Sequence, residues 1–184
     1  MTDRLSETYV SVDVESAGPN PADYALLSIG ACLVDDPEQT FYVELQPTSM
    51  RFTPEALAVS GLSLERLSRE GLPPAEAMHR FADWLQAVVP AGHAPVFVGF
   101  NAAFDWMFVA DYFHRTLGHN PFGHTALDIK AFYMGLTGAA WSETTKAALA
   151  ARFPDQPTLT HHALQDALDQ AALFRRLILE AARR

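Results

Sequence analysis

The segment Tyr9-Val-Ser-Val-Asp-Val-Glu15 alternates apolar and polar side chains residue by residue, and it constrains the chain more than any other stretch. A period of two belongs to a strand, read here over residues 7–15. Val10, Val12 and Val14 point to one face, and Tyr9, Ser11, Asp13 and Glu15 to the other. The composition is that of a strand in the middle of a sheet. Asp13 and Glu15 then leave the same face about 7 Å apart at the backbone. Burying two like charges there is costly unless something compensates them. Two readings follow: the strand ends at Glu15 and both carboxylates are solvated in a loop, or the pair faces a cation.

After the turn-rich residues 17–21, residues 25–34 form a nearly continuous apolar strand. Residues 40–45 give a third strand beyond the Asp35-Asp-Pro-Glu turn, so the chain opens as a meander. Pro54 begins a helical patch, and Ser63 is a fitting N-cap for another over residues 63–67. Residues 73–89 carry Met78, Phe81, Leu85 and Val88 at helical spacing. A short buried strand at residues 95–100 runs into a helix over residues 102–117. The pattern then predicts a short strand at residues 121–126 and helices at 127–136 and 142–152. The last helix spans residues 162–182, with Leu164, Leu168, Ala171, Ala172, Phe174 and Ile178 as its buried stripe. This order is that of an α/β chain with a mixed sheet and helices packed on its faces.

At 184 residues the chain suits one domain over residues 1–184. No apolar run approaches the roughly 20 residues that span a bilayer. The N-terminus lacks the basic start and apolar stretch of a secretory signal, which makes a cytoplasmic location the expectation. Cys32 is the sole cysteine, which excludes an internal disulfide and suits a small buried residue. The formal net charge is −9, with only Lys130 and Lys146 as lysines against eleven arginines. A balance of that sign argues against a broad nucleic-acid-binding surface, so any phosphate chemistry must rest on local groups.

Two more clusters carry carboxylates. In Val98-Gly-Phe-Asn-Ala-Ala-Phe-Asp105 a strand ends, Asn101 is placed to cap the next helix, and Asp105 falls in its first turn. The helix dipole favours a carboxylate there, which is also the ordinary structural explanation. Phe104 and Trp106 flank it with aromatic surface. In His161-His-Ala-Leu-Gln-Asp166 a histidine precedes the last helix and an aspartate lies one turn inside, an arrangement that capping alone explains. His114, His119 and His124 recur every five residues, but no cysteine is near and turn residues surround them, so a zinc site is not read there. Asp128 is read as structural, with support for the site as the alternative.

Together, Asp13-Val-Glu15, Asn101-Ala-Ala-Phe-Asp105 and His161-His-Ala-Leu-Gln-Asp166-Ala resemble, in order and over nearly the whole chain, the three motifs of the DEDD exonuclease superfamily. The likeness is to its histidine-containing branch (DEDDh, DnaQ-like). That branch includes the proofreading subunit of bacterial replicative polymerase, ribonuclease T and oligoribonuclease. Phe100 stands where the family often has histidine, and Ser16-Ala-Gly18 where it commonly has Thr-Thr-Gly. Val59-Ser-Gly-Leu62 is similar to a family loop that sets an apolar side chain against terminal bases, which makes Leu62 a candidate wedge as well as a candidate core residue.

The resemblance implies a ribonuclease-H-like α/β fold and a metal-dependent 3′-to-5′ exonuclease. Hydrolysing a phosphodiester needs a nucleophile near neutral pH and stabilisation of charge on the phosphate. Two divalent ions about 3.5–4 Å apart supply both. Oxygen ligands suit Mg²⁺ or Mn²⁺. Asp13, Glu15, Asp105 and Asp166 are the implied ligands, with Asp13 bridging. His161 is the implied general base, its unperturbed pKa of about 6.5 suiting that work. Family spacing favours it over His162. Asn101, Phe104 and Leu62 are the implied substrate contacts.

An acidic chain suits short or single-stranded 3′ ends, of DNA or RNA, better than long duplexes. A homodimer is implied by analogy with stand-alone relatives, and a polymerase partner is conceivable. The rival readings are a non-catalytic binding or polymerase-partner module that keeps the fold, and a hydrolase of small phosphate esters.

Overall fold

The computed structural model describes residues 6–153 and 161–183. Its centre is the alternating segment: β1 (Ser6–Ser16) lies in the middle of a five-stranded sheet of order β3-β2-β1-β4-β5. β2 (Leu26–Leu33) and β3 (Thr40–Glu44) complete the antiparallel meander. β4 (His93–Gly99) and β5 (Ala126–Asp128) add to the other edge in parallel. The mixed sheet expected from the sequence is thus present. β2 is buried along its whole length, as its unbroken apolar run requires.

Three helices follow the meander: α1 (Pro54–Ser60), α2 (Leu64–Glu70) and α3 (Pro74–Val88). Thr53 and Ser63 cap α1 and α2 through their hydroxyls, and α1 and α3 each begin at a proline, where a missing N–H costs nothing. α4 (Ala102–Leu117) spans the predicted residues and ends on Gly118 at φ 76°, a left-handed cap that glycine adopts without strain. α3 and α4 cover the face to which Val10, Val12 and Val14 point, closing a core with Met78, Phe81, Phe108 and Phe113. α5 (Ile129–Thr137), α6 (Lys146–Arg152) and α7 (Ala163–Ala181) build the other face around Val98, Ile129, Leu149 and Phe174. Cys32 is fully buried there, as expected. Among the described residues no helix is long and apolar enough to cross a membrane.

Three expectations need correction. Residues 121–126 are not a strand. Asn120 closes a turn there, accepting the Phe122 N–H at its side chain and the Gly123 N–H at its carbonyl, and Gly123 sits at φ 77°. Pairing with β4 starts only at Ala126 and stops at Asp128, whose carboxylate caps α5. The predicted helix at residues 142–152 is broken: Trp141–Glu143 is a 3₁₀ turn, and α6 begins after Thr145, whose hydroxyl caps it. Finally, the buried stripe of α7 is turned from the one read off its leucines. It runs through Ala163, Asp166, Ala167, Gln170, Ala171, Phe174 and Leu177, while Leu164, Leu168 and Ile178 are only partly buried and Ala172 is exposed.

Candidate active site

α7 lies across β1 and β2 on the face that carries Ser11, Asp13 and Glu15. Two features seat it. Ser11 donates from Oγ to the Ala167 carbonyl at 2.7 Å. Gly30, the register partner of Asp13, leaves room for the first turn of α7: a Cβ there would meet Ala163 C and Leu164 N at 2.2 Å. Only glycine permits that approach, and it sets Asp166 and His161 beside β1. Ligand atoms of Glu15, His161 and Asp166 lie within 4.8 Å of one another. Asp105 arrives from the first turn of α4, and its Oδ1 accepts the Val14 N–H at 3.0 Å, which locks the carboxylate against the end of β1. β1 therefore continues through Glu15 into the protein, and the reading that left both carboxylates solvated in a loop does not hold.

Four carboxylates in one pocket repel one another and lose water. Burial pushes the Asp13 carboxyl well above its usual range, and the charges of Asp105, Asp166 and Glu15 push it further. Burial lifts Glu15 to about 7, with Asp166 adding to the rise. Burial likewise lifts Asp105 to about 7, against the hydrogen bond from Val14 that favours its ionised form. Such a set of hard oxygen donors, held together and short of positive charge, fits a divalent cation of the Mg²⁺ or Mn²⁺ type. Glu15, His161 and Asp166 bring their ligand atoms close enough together to hold one, and the charges of Asp13 and Asp105 lie beside them.

Sequence reasoning missed two participants. Gln170 is buried one turn beyond Asp166; its Oε1 accepts the Phe100 N–H at 2.9 Å and its Nε2 donates to Asp13 Oδ1. The backbone bond fixes which end of the amide faces Asp13. Its spacing of four from Asp166 was the available signal, since i and i+4 share a helix face. Lys146, at the start of α6, is close enough for Asp13, Asp166, Asp105 and Asp169 to act on its charge, while burial lowers its pKa.

The remaining predicted residues sort by geometry. His162 turns away and stacks on Tyr42 of β3, with centroids 4.7 Å apart and planes at 20°, leaving His161 as the imidazole at the carboxylates. Asn101 precedes α4 but makes no side-chain capping bond. Asp128 Oδ2 accepts the Ala102 N–H instead, at 2.7 Å, and its Oδ1 caps α5, so its structural reading holds. Asn101 (φ 66°) and His161 (φ 53°) are the non-glycine residues in the left-handed region among those described, one at the entry to each helix that supplies the site. Asn and His tolerate that region better than most residues, and such strain clusters at functional sites. The Asn101 side chain is exposed; Phe104 is partly buried and tilted on Phe108; Leu62 packs partly buried against Ala17, Leu27 and Leu67. Among the described residues, the only group of three or more candidate metal ligands is Glu15, His161 and Asp166, so His114, His119 and His124 form no such cluster.

The exonuclease family (RNase_T) matches residues 10–174. The 3′-5′ DNA exonuclease Cap18 of Escherichia coli is 48% identical over 92% of this chain and 90% of its own. Ribonuclease T of Yersinia pestis is 32% identical over 92% of this chain and 83% of its own. Among solved structures, the nuclease domain of 3′hExo, a DEDDh family member bound to rAMP, superposes with a TM-score of 0.78 at 14% identity, covering 97% of this chain and 94% of that one. Escherichia coli exonuclease I in complex with a dT13 oligonucleotide gives 0.73 at 16% identity, over 97% of this chain and 42% of that one. A sheet that brings the three motifs to one pocket, and relatives that share the whole span, make the chain a member of the exonuclease family.

Proposed function

We propose that this protein is a 3′-to-5′ exonuclease that removes nucleoside 5′-monophosphates from single-stranded DNA, using Asp13, Glu15, Asp105 and Asp166 to hold two divalent ions, Mg²⁺ or Mn²⁺. The observation that carries the reading is the meeting of Glu15, His161 and Asp166 with Asp13 and Asp105, from three separate segments, in one desolvated pocket. DNA rather than RNA is favoured by the relative at 48% identity, which is named a DNA exonuclease, over the more distant ribonuclease T.

Bound divalent ions would supply Lewis-acid stabilisation of the phosphate and acidify an attacking water. The chain's own groups do the rest. His161, exposed at the mouth of the pocket, accepts the proton of that water at an imidazole nitrogen as oxygen adds to phosphorus. The bond from phosphorus to the neighbouring nucleotide's O3′ breaks, and that oxygen leaves with the shortened strand and takes a proton from solvent. Asp105 stays fixed through its bond to Val14, and Gln170 holds the plane of Asp13, so the acidic groups need not reorganise during the reaction. Phe104 would offer an aromatic surface to the terminal base, and Asn101 and Leu62 are the other substrate contacts that the family resemblance implies.

The test uses 5′-labelled single-stranded DNA, RNA, duplex and very short oligomers with Mg²⁺, Mn²⁺ or chelator, sampled over time. A ladder that shortens by single nucleotides from the 3′ end, faster on DNA than RNA and silent in chelator, is expected. Binding without shortening under either ion would mean a non-catalytic module. Hydrolysis of a model diester without directionality on a strand would mean a small-ester hydrolase.

A further inference from the structure

The chain's two lysines converge on a single aromatic ring. Lys130 Nζ lies 6.0 Å and Lys146 Nζ 5.2 Å from the centroid of Phe100, and Lys130 is also 4.2 Å from the Trp141 centroid. Helix stability does not account for this. Lys130 is the second residue of α5 and Lys146 the first of α6, positions where the positive end of a helix disfavours a cation. Nor does a direct salt bridge: those among the described residues engage Arg51, Arg66, Arg80, Arg115 and Arg152, and the carboxylates of the acidic pocket act on Lys146 only from further off, without reaching Lys130. Trp141 is 53% exposed, an unusual place for the largest aromatic side chain.

The patch borders the acidic pocket. The Phe100 N–H is bonded to Gln170, which is bonded to Asp13, and Lys146 is within reach of the charges of Asp13, Asp105 and Asp166. Paired cations beside an exposed flat ring provide what a single strand requires, positive charge for its backbone and a π-face for a base. This also bears on the net charge of −9, because the two lysines sit together at Phe100 beside the acidic carboxylates rather than apart on the surface.

We infer that Lys130, Lys146, Phe100 and Trp141 form a subsite for the strand leading into the active site, with the two ammonium groups on backbone phosphates and Trp141 stacked on a base. The inference rests on the exonuclease reading for its substrate, but binding tests it separately from cleavage.

The experiment measures fluorescence anisotropy of a 5′-labelled oligothymidylate of about a dozen nucleotides, made resistant by phosphorothioate 3′ linkages, with Mg²⁺ over a salt series. Wild type is compared with Lys130→Gln/Lys146→Gln, Lys130→Arg/Lys146→Arg and Trp141→Ala, each checked for an unchanged circular dichroism spectrum. The double Gln variant is expected to lower the slope of log affinity against log salt by about 1.4, which is about 0.7 for each single-strand phosphate that is no longer neutralised. The Arg variant should keep the wild-type slope, and Trp141→Ala should weaken binding about tenfold. Wild-type slope and affinity in both the Gln and Ala variants would overturn the subsite. So would variants that alter inhibition by thymidine 5′-monophosphate while leaving strand binding intact, since the patch would then serve the terminal nucleotide. Failure of the parent enzyme to shorten an unmodified strand would instead overturn the exonuclease reading, whatever the binding series gave.

Discussion

At the scale of single residues, the site sets ionisation against folding. Asp105 is buried, with its carboxyl raised to about 7 and one oxygen committed to Val14 N–H. Asp105→Asn keeps an acceptor for that N–H and removes a charge that burial disfavours. The variant should therefore melt higher than the parent in chelator while its kcat falls by about 100-fold or more, a trade between stability and activity. A lower melting temperature would show that the ionised carboxylate is stabilised in ways the pocket does not reveal. The adjacent histidines give a paired control. His161→Ala should lose about 10²- to 10⁴-fold in kcat, the usual range for a general base, whereas His162→Ala should lose only its stack on Tyr42 and remain active. Equal losses would contradict the assignment of the base. Gln170→Leu keeps most of the volume but leaves Asp13 unheld and the Phe100 N–H without its acceptor. A loss of about 10- to 100-fold in activity, with the apparent Mg²⁺ affinity weakened alongside, is expected from removing a partner that orients a ligand.

At the scale of elements, β1 and α7 form the frame, and Gly30 decides how closely they approach. Gly30→Ala would drive a Cβ into Ala163 and Leu164 backbone atoms, which cannot rotate aside as a side chain could. α7 must shift. Overpacking of this kind costs about 1–3 kcal/mol, and a displacement of about 1 Å at reacting groups costs about 100-fold in rate. Both a lower melting temperature and a larger loss of kcat than of substrate affinity should be seen; a variant with parental stability would mean that α7 is not held by this approach to β2. Much of this frame is legible in the sequence. The alternation of β1, the unbroken apolar run of β2 and the spacing of Met78, Phe81 and Leu85 in α3 each reflect burial on a sheet or helix face. The stripe of α7 is not, because Asp166 and Gln170 occupy its buried face and the leucine pattern points to the adjacent one. Polar residues at inward positions break the rule of periodicity where function requires them. Gly30 and the Lys146–Phe100 pair escape for another reason: each depends on a partner from a distant segment, which local spacing does not encode.

At the scale of the whole molecule, protons and divalent cations compete for the same stabilising role. Asp13 lies well above its usual range, and Glu15 and Asp105 lie at about 7, all raised chiefly by burial. A carboxyl whose pKa is higher folded than unfolded binds more protons in the folded state between the two values. Stability therefore falls as pH rises through that window, here from about 4 to 7 and beyond. The melting temperature in chelator should accordingly decrease from mildly acidic to mildly alkaline buffer, the reverse of a protein whose carboxylates are salt-bridged. Divalent ions bind only the deprotonated site and stabilise the folded state by mass action, so their effect must grow in the same direction. Saturating Mn²⁺ should raise the melting temperature strongly at about pH 8 and little at about pH 5, and Asp105→Asn should reduce both the pH slope in chelator and the Mn²⁺ shift. A chelated protein that gains stability as pH rises through neutrality, or a Mn²⁺ shift independent of pH, would separate these carboxylates from the metal. The acidic pocket would then need another occupant.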